Sequence, residues 1–159
     1  MRHIKVIAVG KLKEKYLVDA AAEYIKRLGR FCKLECVEVP EERLPDDAAA
    51  ALTEAGMKAE AERVLAKVRE GACLIVLDVG GTELDSVTFA EEVGKRIDRY
   101  QEVDFVIGGS MGLHAMLRHA ANLRVSMSRW TFPHQLARVI LLEQLYRTFK
   151  ILSGETYHK

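Results

Sequence analysis

The sequence predicts an α/β layer fold: a mostly parallel sheet flanked by helices. Short β-branched runs alternate with longer polar or Ala-rich segments along the whole chain. Two of these runs, "CLIVLDV" (73–79) and "VDFVIG" (103–108), are continuously apolar, as in parallel strands buried on both faces. Cap and stop residues punctuate the segments between them.

The elements follow in order. "IKVIAV" (4–9) reads as a strand. Residues 11–28 read as an amphipathic helix that Gly29 is placed to stop. Residues 33–39 form a second strand. Residues 45–71 read as a helix with Asp46 and Asp47 as cap candidates, Gly56 as an internal weak point and Gly71 as its end. The strand at 73–79 is followed by a capped helix at 85–100 and the strand at 103–108. A short helix at 112–121, a strand at 123–127 and a last helix from Pro133 complete the chain. No repeat, low-complexity tract or linker interrupts it, so 1–159 reads as a single domain.

Hydrophobic residues make up 49% of the chain and charged residues 30%, which is ordinary for a globular protein. No apolar run reaches the roughly 18 residues of a membrane span. The start, "MRHIKVIAVG", is strand-like and soon charged, unlike a signal peptide, so a cytoplasmic protein is expected. Cys32, Cys36 and Cys73 are too few and scattered for a disulfide framework. Cys32 and Cys36 share a strand face with Leu34 and lack a matching Cys/His pair, so core packing is expected and no metal. Net charge is +1, unevenly spread. Residues 118–159 hold seven Lys/Arg against two acids, a local +5, and the remainder carries −4. A basic C-terminal quarter suggests an anionic partner, with a solvated helix face as the alternative.

Ligands of open parallel sheets bind at the carboxyl ends of strands. "VGKLK" lacks the rest of a phosphate loop, and neither "LDVGGTELDS" nor "VIGGSMGLH" is a GxGxxG fingerprint. Two of these strand-end loops are nonetheless Gly-rich, a composition that lets backbone approach a ligand. A third, "SMSRWTFPHQ", brings the hydroxyls of Ser126, Ser128 and Thr131 beside Trp130 and Phe132, a surface suited to a purine. No triad, metal cluster or carboxylate pair is evident. Any reaction then belongs to a bound cofactor or to the substrate.

"VGKLKEKY", "FVIGGSMGL", "SMSRWTFPHQLARVILLEQLYRTFKI" and the ending "GETYHK" together resemble the ribosomal RNA large subunit methyltransferase H family. This is a small branch of the SPOUT superfamily of S-adenosylmethionine-dependent RNA methyltransferases. The resemblance covers the whole chain and is most specific in its C-terminal segment. It implies a C-terminal trefoil knot, which generic topology rules would exclude. It also implies a homodimer packed through the knots, S-adenosyl-L-methionine as cofactor, and methylation of N3 of pseudouridine 1915 in the 23S rRNA of the assembled ribosome. Carried over by position, the cofactor contacts are Leu77, Gly108 with its neighbour Gly109, and Met127, Ser128, Arg129, Trp130, Thr131 and Phe132. Two departures are Gly80-Gly81, where relatives often carry one glycine after a larger residue, and Lys159, where some members end in arginine. Lysine keeps the charge but loses the bidentate fork.

In "TFPHQLARVILLEQLYR" (131–147), about 100° per residue puts Leu141, Leu142, Leu145 and Tyr146 on one stripe, with Phe149 beyond. His134 and Arg138 lie inside that stripe. Pro133 suits the first turn, so His134 and Arg138 are expected to face the methyl-donor pocket or the partner subunit. The competing reading makes Arg138 a structural cation paired across the dimer. Glu143 and Arg147 read as a surface or interface pair worth a few tenths of a kcal/mol. For chemistry, Arg138 would favour the anionic base electrostatically, and His158 is the candidate proton acceptor. The expected RNA contacts are Arg129, His134, Arg138, Tyr157, His158 and Lys159. A non-enzymatic ribosome-binding factor is the rival reading, separated by whether S-adenosylmethionine binds.

Overall fold

The computed structural model describes residues 1–159. Five strands form one parallel sheet in the order β2-β1-β4-β3-β5. The strands are β1 (Arg2–Val9), β2 (Cys32–Val39), β3 (Cys73–Glu83), β4 (Glu102–Ile107) and β5 (Leu123–Ser126). The helices are α1 (Lys15–Leu28), α2 (Ala50–Leu65), α3 (Ser86–Arg99), α4 (Ala115–Ala120) and α5 (His134–Leu152).

Strand alternation divides the core in two. Ile4, Val6 and Ala8 of β1 face one layer, where Leu17 of α1, Phe89 of α3 and Leu142 and Phe149 of α5 meet them. Ile7 and Val9 face the other layer, built from Ala61 and Val64 of α2 and Leu117 of α4. β4 lies between β1 and β3 and is buried along its whole length, as its apolar run predicts. α5 packs against both α1 and α3, and its stripe of Leu141, Leu142, Leu145 and Phe149 is buried. No helix is long and apolar enough to cross a membrane.

Helix starts depart from the sequence reading. The first helix begins at Lys15 because the preceding backbone is satisfied by distant side chains. Leu12 N donates to Glu38 Oε2 at 2.9 Å, and Lys13 N to Gln135 Oε1 at 2.9 Å. Gly29 ends α1 with ordinary right-handed dihedrals. Asp46 and Asp47 do not cap α2. Pro45 starts a turn, with Ala48 N donating to its carbonyl at 3.0 Å, and Ala49 is the N-cap without a side-chain bond. Beyond Leu65 the chain continues in single turns to Gly71, whose φ of +79° needs glycine. Gly56 lets α2 approach its neighbours: a Cβ there would lie 3.1 Å from Leu44 Cδ1. Asp85 caps α3 as expected, accepting from Thr88 N at 2.7 Å. α4 starts only at Ala115, after His114 Nδ1 accepts from Met116 N at 3.1 Å. Pro133 is the N-cap of α5, one position before the first turn.

β3 runs four residues past its apolar segment. Its pairing with β5 breaks register between Leu77 and Thr82. Gly81 sits in this irregular stretch, where a Cβ would lie 2.7 Å from the Arg124 carbonyl oxygen, so close strand approach demands this glycine. Cys32 and Cys73 are buried as expected, whereas Cys36 on the edge strand is exposed, and all three are free thiols.

At the opposite, amino-terminal end of the strands, Asp104 is fully buried. One of its oxygens accepts from Arg69 N at 3.2 Å and the other has no partner. Glu102 beside it is held by Lys5 at 3.3 Å and Arg69 at 3.4 Å. Burial, reinforced by the Glu102 charge, pushes the Asp104 carboxyl up to about 6. An acid raised in this way contributes stability that is complete only below the ordinary carboxylate range and is lost progressively as pH rises from there through about 6. Asp104→Asn keeps an acceptor for Arg69 N without the buried charge. It should melt several degrees above the parent at pH 8, by less at pH 5, and gain nothing only near pH 3, below the ordinary carboxylate range, as read by thermal denaturation.

Candidate active site

Two adjoining cavities open at the carboxyl ends of β3, β4 and β5, with Leu77 and Met127 lining both. The smaller, about 240 Å³, is lined by Leu77, Gly108, Gly109, Met127, Ser128, Trp130, Thr131 and Phe132. Eight of the nine residues expected around a cofactor thus converge on one cavity. Ile107, Leu113 and Ala137 add apolar wall, and His134 at the head of α5 stands at its edge. Arg129 alone turns away. Its side chain is 90% exposed and pairs with Glu83 at 3.0 Å.

Local hydrogen bonds shape the three loops. Gly112, at φ +88°, turns the chain back so that its amide donates to the Gly109 carbonyl at 3.0 Å. A Cβ on Gly108 would meet Leu113 Cδ2 at 3.0 Å, and one on Gly109 would meet Val9 Cγ1 at 2.9 Å. Gly109 is therefore required by packing on β1. In the 127–132 loop, Ser126 Oγ donates to the Ser128 carbonyl at 3.1 Å, and Trp130 N donates to Ser128 Oγ at 3.0 Å. Trp130 is left 77% exposed.

Arg138 does not share the destination of His134. It is only 6% exposed, pairs with Glu38 and donates from Nη2 to the Gly10 carbonyl at 2.9 Å, and it lines neither cavity. Burial alone would raise the Glu38 carboxyl, but the bonds from Arg138 and Leu12 N hold it below the usual range. The sequence reading of Arg138 as a catalytic and RNA-contacting cation is corrected here. Its partner lies within the same chain, because the first turn of α5 runs over the ends of β1 and β2.

Sequence reasoning missed Asp78 and Arg118 in the small cavity. Asp78 is 7% exposed; its Oδ1 accepts from Gly80 N at 3.1 Å, and its Oδ2 from Arg118 Nε at 3.1 Å and Arg124 Nη1 at 3.2 Å. Burial would raise this carboxyl, but the Gly80 amide and the two guanidinium groups outweigh it and keep it low. The available signal was an acid inside the apolar run "CLIVLDV", where a buried charge needs partners.

The larger cavity, about 470 Å³, lies toward α3 and α5 and is lined by Asp85, Ser86, Phe89, Ile140, Gln144 and His158 among others. The tail reaches it by docking on α5. Tyr157 packs its ring edge-on to Tyr146 at 4.9 Å and donates to Glu143 Oε1 at 3.2 Å. Arg147 binds Glu143 at 2.7 Å, stands 4.7 Å over the Tyr157 ring and lies 2.9 Å from His158 Nδ1. The Glu143–Arg147 pair is therefore the seat of the tail. A guanidinium only donates, so Nδ1 accepts and a neutral His158 carries its proton on Nε2. Lys159 is exposed. No group of three or more His, Cys, Asp or Glu side chains is arranged to hold a metal ion.

A parallel sheet whose cofactor-type loops follow its third, fourth and fifth strands defines a class, and the comparison with known families agrees. The family model described as "Predicted SPOUT methyltransferase" matches residues 1–158, and the chain belongs to the SPOUT methyltransferases. Within them it belongs with the proteins named ribosomal RNA large subunit methyltransferase H. It is 48% identical to the one from Acetivibrio thermocellus over 161 residues, covering 98% of this chain and 99% of that protein. With the one from Pelotomaculum thermopropionicum it shares 49% over 159 residues, 99% of each. Among solved structures, a probable methylase family protein from Haemophilus influenzae superposes with a TM-score of 0.55 at 13% identity, over 99% of this chain and 71% of that one. A probable methyltransferase from Bordetella pertussis gives 0.54 at 18%, over 93% and 95%. At these identities the two structures attest the fold.

The Gly109 geometry yields a test. Gly109→Ala should destabilise the protein by about 1–3 kcal/mol through overpacking against Val9. Combining it with Val9→Ala should cost about 1 kcal/mol less than the two single losses together, measured by chemical denaturation. Strict additivity would place the clash elsewhere.

Proposed function

We propose that this protein transfers a methyl group from S-adenosyl-L-methionine to N3 of pseudouridine 1915 in 23S rRNA, acting on the assembled ribosome in the cytoplasm as a homodimer. The observation that carries the reading is the convergence of Leu77, Gly108 and the 127–132 loop on one cavity, with a second cavity beside it that His158 lines. The naming of its relatives as ribosomal RNA methyltransferases supports the substrate class.

The small cavity fits such a donor chemically. Leu77, Ile107, Leu113 and Phe132 offer an apolar bed for a purine, Ser128 and Thr131 offer hydroxyls, and Arg118 offers a cation. When bound, the donor's sulfonium supplies an electrophilic methyl group. The chain's own part is alignment: the loops fix the donor side and the neighbouring cavity admits a base, so that in-line geometry replaces chance encounter. His158 serves as proton acceptor only after Nδ1 leaves Arg147, because its other ring nitrogen already carries the proton. Tyr157 and Lys159 suit base stacking and phosphate contact. Arg138 acts through position, by holding the head of α5.

Exposed apolar residues support the dimer. Val79 and Trp130, which line the small cavity, are 73% and 77% exposed, and Leu136 on α5 is 37% exposed. The packing of α5 between α1 and α3 is compatible with a chain threaded through a knot.

Methyl transfer measured in parallel on ribosomes, separate subunits and naked rRNA should favour assembled ribosomes. Deleting Tyr157 to Lys159 should spare fold and donor binding but lower methylation by about two orders of magnitude, the lower end of what a positioned acid–base group contributes. Full methylation by the truncated protein would refute the tail's role. If the basic C-terminal quarter meets rRNA phosphates, methylation should weaken with monovalent salt more steeply than donor binding does.

A further inference from the structure

We propose that Arg118 is the anchor for the α-carboxylate of the methyl donor, with the buried carboxylate of Asp78 aiming its guanidinium into the small cavity. The inference rests on the reading that this cavity takes S-adenosylmethionine.

The geometry starts with Asp78. Both of its oxygens are engaged, one by Gly80 N and the other by Arg118 Nε and Arg124 Nη1, and the residue is 7% exposed. A buried carboxylate with two guanidinium partners leaves a local excess of one positive charge. Arg124 and Arg118 then diverge. Arg124 lines a separate polar cleft with Gly80 and Gly81, whereas Arg118 lines the small cavity. Arg118 is held only through Nε, and its terminal amines make no hydrogen bond within the chain. Its side chain is 40% exposed, which leaves those amines reachable.

A guanidinium pinned at Nε presents its two terminal nitrogens as a fixed fork, the geometry that binds carboxylate in two parallel hydrogen bonds. Holding the arm in advance also removes much of the entropy cost of ordering it around a ligand. Among the lining residues the fixed charges are Asp78, already satisfied, and Arg118. The methyl donor carries one carboxylate, at the amino-acid end remote from its purine. An apolar and hydroxyl-lined cavity with one free cation at its edge matches that distribution of polarity.

The test compares ligands that differ at this group. Calorimetric titration of Arg118→Met and Arg118→Lys with S-adenosylmethionine, S-adenosylhomocysteine and methylthioadenosine, which lacks the amino-acid end, separates the anchor from the rest of the cavity. Thermal melts of each variant confirm folding. The Met variant should lose about tenfold or more in affinity for the two amino-acid-bearing ligands, as expected for a lost charge-assisted hydrogen bond, and bind methylthioadenosine like the parent. The Lys variant should recover part of the loss. Parental affinity of the Met variant for S-adenosylmethionine overturns the proposal, and if methylation falls nonetheless, the cation serves an RNA phosphate instead. Equal loss for all three ligands also overturns it, since the side chain would then be shaping the cavity. A parent protein that binds none of the three overturns the methyl-donor reading itself.

Discussion

The 127–132 loop, which supplies five of the residues lining the small cavity, is held from its two ends, and the anchor at its downstream end is the pair of buried Arg138 with Glu38. Upstream, Ser126 at the end of β5 is buried and ties back to the Ser128 carbonyl. Downstream, α5 is fastened to the far side of the sheet. Arg138 reaches Glu38 and the Gly10 carbonyl, while Gln135 accepts from Lys13 N. The segment between must therefore pass across the ends of β3 and β4. Burying a guanidinium is costly unless its charge is paired. The ion pair thus acts as a positional constraint more than a source of net stability. It explains why a charged residue occupies an apolar stripe.

The same constraint shows which parts of the molecule were legible in its sequence. The strands were, because a parallel sheet covered on both faces leaves continuous apolar runs such as 73–79 and 103–108. The helix starts at 11 and 45 were not. Local composition allowed helix there, but Glu38 and Gln135, distant in sequence, claim the backbone amides of Leu12 and Lys13. Helical spacing put His134 and Arg138 on one stripe, which is correct as geometry. It could not reveal that the cavity ends at the first turn and that Glu38 waits one turn later.

The site was legible where it is made of loops and hidden where it is made of charges. Leu77, Gly108 and 127–132 follow from the strand-end rule together with the family resemblance. Asp78 and Arg118 are forty residues apart, on a strand and a short helix, and only the crossing of β3 and α4 over one cavity joins them. The glycines carry a related lesson. Gly81 and Gly109 look like ligand contacts in sequence, yet their missing Cβ atoms make room for Arg124 backbone and Val9. At both strand ends the absent side chain thus lets two segments of the chain pack closely.

The tail brings these points together. Glu143 and Arg147, spaced as an ordinary helical pair, gain a purpose from Tyr157 and His158 docked upon them. Docking carries His158 to the wall of the larger cavity, and the same contact occupies the ring nitrogen that would take a proton. An arrangement that both delivers and engages the imidazole separates two tasks often assigned to one residue. Closing the cavity needs only the aromatic and ionic contacts already made. Accepting a proton needs Arg147 to find another partner, and an incoming polyanion supplies phosphate oxygens of the kind a guanidinium prefers. In the proposed reaction, RNA arrival would then free the base as it fills the cavity, which couples proton acceptance to the presence of substrate.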